Sequence, residues 1–137
     1  MKRLLTYDFG SLKLYDNYVL AQINEGATLS KDAGKILRDI AEEHYKGHFF
    51  AYISYRKHSY ALDPSAITEA SKIKNLVAFA VVSNIPNALN NTKIESQFTE
   101  KIYKSFEVIS EAKLWATNIV IEHTKNALNT DSIQSEI

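Results

Sequence analysis

The chain has 137 residues, 45% of them hydrophobic, enough for one core and too few for two, since domains run to about 100–150 residues. Lys plus Arg equals Asp plus Glu at 16 each, so no excess of positive charge is available to release counterions from nucleic acid or to hold an anionic membrane surface. Cysteine is absent, which excludes disulfides and thiolate chemistry and fits a reducing, cytoplasmic setting.

The first residues, Met1 to Asp8, reach a carboxylate after a very short apolar run, so they do not read as a signal segment, and no stretch approaches the length of a membrane span. Leu5, Tyr7 and Phe9 alternate, and Gly10-Ser11 reads as a turn. Leu12 and Leu14 alternate again before Asp16-Asn17 and the run Tyr18 to Ile23. An antiparallel meander is expected. The period then lengthens: Ala33, Ile36, Leu37, Ile40, Ala41 and His44 share one face of a helix over about 31–46, capped by Ser30 and stopped at Gly47. Phe49 to Tyr55 is a short aromatic strand, and Asp63-Pro64 opens a second helix with Ile67, Ala70 and Ile73 inward. Leu76 to Val82 has the continuous apolar character of a strand covered on both faces.

Two successive strand–helix–strand units, 18–55 and 49–82, imply parallel pairing at the centre of a mixed sheet. After a turn-rich loop, Asn84 to Asn91, the pair Thr92 and Glu95 reads as a capping box for a helix carrying Ile94, Phe98 and Ile102. Phe106 to Ile109 reads as an edge strand. Ser110 is placed as the cap of a last helix with Ala112, Trp115, Ala116, Ile119 and His123 inward. The expected architecture is a single α/β domain over 1–128 with about four helices, and a frayed tail over 129–137.

Catalytic machinery is not expected. His58, Ser59 and Asp63 are close in sequence but lack the strained, glycine-flanked serine of a nucleophile elbow. His44 and His48 have helical ligand spacing, yet Gly47 lies between them and no third ligand is evident, so no metal is expected. The glycines at 10, 26, 34 and 47 are too scattered for a phosphate cradle, and no cofactor is expected.

Candidate recognition residues cluster instead at the carboxyl end of the 49–55 strand: Arg56, Lys57, His58, Ser59 and Tyr60, joined on the same rim by Asn84. Open α/β sheets meet ligands and partners at that edge. Two cations, an imidazole and hydroxyls there suit a carboxylate, a phosphate or a protein surface. On the last helix, Leu114, Ile121 and Leu128 make a second stripe at sevenfold spacing. It is read first as packing within the chain. The same stripe could also pair isologously, and a homodimer is the expected oligomeric state.

The meander, the Ser30 helix, Phe50-Ala51-Tyr52-Ile53-Ser54 running into Arg56 to Tyr60, Asp63-Pro64 and the Ala78 to Ser83 strand together resemble the SpoIIAA-like group. That group shares the STAS fold (sulfate transporter and anti-sigma-factor antagonist) and is compared with the lipid-binding SEC14/CRAL-TRIO domain. The resemblance covers about residues 5–125 and implies a central mixed sheet covered by helices. Anti-sigma-factor antagonists carry a phosphorylated serine in an Asp-Ser-Ser-Gly motif at the start of the second helix. Here the place reads Asp63-Pro64-Ser65-Ala66, leaving Ser65 as the one serine that could inherit the switch, without the doublet or the glycine. The functional expectation is a non-enzymatic regulatory or scaffold module that binds a protein through the rim of the 56–63 and 84–91 loops. The alternative, implied by the SEC14 comparison, is a carrier of a small apolar ligand held between sheet and helices in a cavity of roughly 300 Å³ or more.

Overall fold

The computed structural model describes residues 1–58, 60–85 and 88–135. Among these, the strands β1 (Arg3–Tyr7), β2 (Gly10–Leu14), β3 (Tyr18–Ile23), β5 (Phe50–Tyr55), β7 (Leu76–Val82) and β8 (Ile102–Phe106) form one sheet in the order β1-β2-β3-β5-β7-β8. The meander β1–β2–β3 is antiparallel, and β3, β5, β7 and β8 run parallel to one another. The two expected crossovers are therefore present. A small parallel pair, β4 (Thr28–Leu29) with β6 (Ala61–Leu62), was not foreseen, because two-residue strands leave no periodic trace.

Helices α1 (Lys31–Ile40) and α2 (Pro64–Ser71) pack on each other and cover one sheet face, while α4 (Ile109–Ser135) covers the other. Alternation along β5 serves both layers: Phe50 and Tyr52 join the α1/α2 core, whereas Ala51 and Ile53 meet Ala112, Ala116 and Val120 of α4. Small residues on both sides bring α4 close to the sheet. Gly34 does the same between α1 and α2, where an added Cβ would lie 2.8 Å from the Glu69 Cβ and 3.0 Å from the Ala66 carbonyl oxygen. Glu69, buried at that contact, accepts from Arg38 at 3.2 Å and Lys72 at 3.3 Å.

Several boundaries differ from the sequence expectation. The first turn falls at Asp8-Phe9, with Tyr7 paired to Gly10, so Gly10 opens β2 instead of forming the turn; its φ of 149° and its approach to the β3 backbone leave no space for a side chain. α1 continues into a π-helical turn over Ala41–Tyr45, whose wider winding brings Tyr45, not His44, into the core. Lys46, at φ 49°, and Gly47 then end the helix. Ser30 stands at the start of α1 but makes no side-chain cap bond.

The region after β7 differs most. α3 spans Ala88–Glu95 and is followed by a 3-10 turn, Ser96–Phe98, so Thr92 and Glu95 lie within the helix and do not cap one. The edge strand comes earlier than expected, at Ile102–Phe106, and places Ile102 on a strand. α4 begins at Ile109, which puts Ser110 inside its first turn, and it continues through Ser135 where a frayed tail was expected, the segment containing no glycine or proline to stop it. The stripe Leu114, Ile121 and Leu128 is 64%, 42% and 61% exposed, which overturns its reading as packing within the chain. The narrow arc of Ala112, Ala116 and Val120 is what the sheet buries completely. No described helix is long and apolar enough to cross a membrane.

Candidate functional site

The chain leaves β5 at Tyr55 and enters the rim with Arg56, whose backbone N–H still donates to the Val82 carbonyl of β7. That bond keeps the residue in line with the sheet and turns its side chain inward, so the guanidinium is only 12% exposed. A buried cation requires a counter-charge, and Glu95 on the last turn of α3 supplies it. Nη1 of Arg56 donates to Oε2 at 2.9 Å and Nη2 to Oε1 at 2.6 Å, a bidentate pair. The third nitrogen, Nε, donates to the Tyr60 hydroxyl at 2.8 Å, and that oxygen lies 2.9 Å from the Ser54 hydroxyl. Tyr103 of β8 donates to Oε1 of Glu95 at 2.7 Å. Elements from four places in the chain thus converge on one polar network in an otherwise apolar layer.

Burial sets the acid–base behaviour of the surrounding phenols. Tyr103 is pushed well above its ordinary range by burial and then by the Glu95 charge, and Tyr52 by burial and then by Tyr60. Tyr45, whose hydroxyl donates to the Tyr15 carbonyl at 2.8 Å, is raised by burial and then by Asp16. All three are neutral in the folded protein at pH values where an unfolded tyrosine, with a pKa of about 10, ionises. Because the folded values are raised, their stabilisation is complete below pH ~10 and is lost as pH rises above it. Melting temperature is accordingly expected to fall steeply above pH ~10, with the tyrosinate absorbance near 295 nm owed to these three of the chain's eight tyrosines appearing only at the unfolding transition. Early ionisation of these tyrosines without unfolding would refute the assignment.

Two spaces adjoin the network and share Arg56, Tyr60, Leu62 and Ile67 in their walls. On the sheet side lies a cavity of about 60 Å³, walled chiefly by Leu12, Leu29, Leu37, Ile67 and Phe79 with Arg56, Tyr60 and Tyr103 at one end. On the solvent side lies an open cleft of about 310 Å³ between the 56–64 segment and the chain from Ser83 to Phe98, with Leu62, Pro64, Ile67, Ile85, Ile94 and Phe98 as its apolar lining. The two loops expected on one rim do share this cleft.

The individual candidates are distributed differently from the expectation. Lys57, His58 and Asn84 are exposed at the rim, but Arg56 belongs to the interior and Tyr60 turns its hydroxyl inward to Arg56 and Ser54. Arg56 is therefore not available as a surface cation. Ser59 lies outside the described residues, as do Pro86 and Asn87 of the second loop. Ser65 sits in the first turn of α2, where its N–H donates to Oδ1 of Asp63 at 2.9 Å, and this bond holds the Asp63 carboxyl below the usual carboxylate range. The fixed charge of Asp63 thus already uses the N–H that would receive a phosphate. His44 stands edge-on to the Tyr45 ring at 4.8 Å, while His48 is exposed.

Sequence reasoning missed Glu95 and Tyr103 as members of the site. The spacing of Thr92 and Glu95 reads as a helix cap, and the clue to the role of Glu95 is that a cation directly following a buried strand needs an anion somewhere in the chain.

No protein-family model and no curated protein matches the sequence. In three dimensions the chain is similar to the crystal structure of an uncharacterized protein from the DUF3478 family, with a SpoIIAA-like fold, from Shewanella loihica PV-4. The likeness covers 83% of this chain and 90% of that one at 14% identity, with a TM-score of 0.51. At that identity the likeness concerns the fold, and the fold of this chain is SpoIIAA-like, as the resemblance in sequence implied.

Proposed function

We propose that the chain is a non-enzymatic module that binds a protein partner at the rim cleft. The observation that carries this reading is the cleft itself: a trough of about 310 Å³ at the carboxyl ends of β5 and β7, walled by apolar and polar side chains together, with Ile94 and Phe98 58% and 41% exposed along one side. Exposed aliphatic and aromatic groups beside a concave surface are what a partner's apolar anchor fills. His58 in the cleft wall and the adjacent, exposed Lys57 favour an acidic flank on that partner. The cavity on the sheet side, about 60 Å³, falls well below the roughly 300 Å³ expected of a carrier that encloses a whole small apolar ligand, which supports the partner reading over the carrier.

The test is a native pull-down with the wild-type chain as bait beside Ile94→Asp and Phe98→Asp. Both substitutions fall on partly exposed side chains and should lower stability by no more than about 1–2 kcal/mol. A protein held by the wild type and lost from both variants is the expected result. An identical set of captured proteins in all three would end the proposal.

The exposed Leu114–Ile121–Leu128 stripe supports a second contact surface, an isologous homodimer through α4. Light scattering at micromolar concentration should then give about twice the 15.5 kDa chain mass, and a Leu114→Glu, Leu128→Glu variant the single mass. A wild type of single mass would exclude the dimer.

A further inference from the structure

The carboxylate bound by Arg56 is one the chain itself provides, and its surroundings have the features of a ligand site. The donors belong to the sheet: Arg56 at the end of β5 and Tyr103 on β8. The acceptor is brought to them by α3, a short helix at the sheet margin. A guanidinium fork joined by a phenol O–H reads a carboxylate by both geometry and charge. One wall of this donor set is the apolar cavity of about 60 Å³, and the other side opens through the rim cleft to solvent. Apolar walls with a few converging polar groups and a route to water describe a small-molecule site.

We propose that Arg56 and Tyr103 form a binding site for a short-chain monocarboxylate, and that Glu95 is its internal competitor, filling the site until a ligand carboxylate displaces it. The ligand's two oxygens take over the bonds from Nη1 and Nη2 of Arg56 and from the Tyr103 hydroxyl, and its tail enters the cavity beside Leu37, Ile67 and Phe79. The limited volume sets the specificity: a chain of a few carbons is accepted, and a long acyl chain is not. Because Glu95 is tethered, it competes at a high effective concentration, so the wild type binds weakly and loss of the Glu95 charge strengthens binding. Ile94 and Phe98 line the outer cleft and take no part, so this site stands or falls apart from the protein-partner reading.

The experiment measures thermal shift and titration calorimetry on the whole chain with sodium butyrate and hexanoate. Butanol, hexanol and sodium chloride at matched concentration serve as controls. Hexanoate should raise the melting temperature of the wild type while hexanol does not, and Glu95→Gln should bind hexanoate at least about tenfold more tightly. Adding Tyr103→Phe to Glu95→Gln should weaken that binding severalfold. If Glu95→Gln does not fold alone, hexanoate should restore a cooperative melt and hexanol should not. Hexanoate binding no tighter in Glu95→Gln than in the wild type would overturn the proposal. So would absence of rescue in an unfolded variant, or equal effects of hexanol and hexanoate.

Discussion

Replacing Arg56 by methionine is expected to lower the free energy of unfolding by about 3–5 kcal/mol, although the residue lies in a rim segment where substitutions are usually mild. The cause is Glu95. Its carboxyl is 15% exposed and accepts two of its three bonds from the guanidinium, so removing the cation leaves an anion with little water and a single donor, Tyr103. Glu95→Met should cost a similar amount by stranding the guanidinium. The double variant Arg56→Met, Glu95→Met should recover much of the loss, since an apolar pair of similar volume avoids the desolvation of both charges. Urea unfolding of the four proteins gives the coupling energy directly. Additive single effects would mean that the pair is not coupled as the geometry requires. Lys57→Met, one residue away but exposed, should change stability by no more than about 0.5 kcal/mol, and this contrast separates interior from rim.

Phe50→Ala is expected to cost about 3–5 kcal/mol as well, for a different reason. Phe50 is fully buried at the start of β5, and its ring stacks on Tyr45 with centroids 4.2 Å apart and planes 3° from parallel. The stack ties the π-helical end of α1 to the centre of the sheet, so truncation removes apolar contact and leaves a cavity beneath Tyr45. Phe50→Leu should recover more than half of the loss by refilling that volume. Tyr45→Phe should cost only about 1 kcal/mol, the hydrogen bond to the Tyr15 carbonyl. Denaturant unfolding of the three variants provides the ranking. A loss below about 1 kcal/mol for Phe50→Ala would show that this stack does not anchor α1.

The residue sequence by itself determined the central elements. Tyr18 to Ile23, the Phe50 strand, Asp63-Pro64 and Leu76 to Val82 each carry a local signal, whether a period, a cap or a continuous apolar run. The order in which these signals occur requires parallel pairing of β3, β5 and β7. The shared rim was legible for the same reason, since β5 and β7 must end on the same side. The chain after β7 was not legible. Thr92 and Glu95 have the spacing of a capping box, and nothing local reveals that Glu95 answers a buried charge 39 positions earlier. Tertiary structure also decided that Arg56 turns inward, that Tyr45 replaces His44 in the core, and that Leu114, Ile121 and Leu128 remain uncovered. In each case the outcome depends on a partner distant in sequence, because the cost of burying a charge or leaving an apolar group in water is set by what the folded chain places beside it.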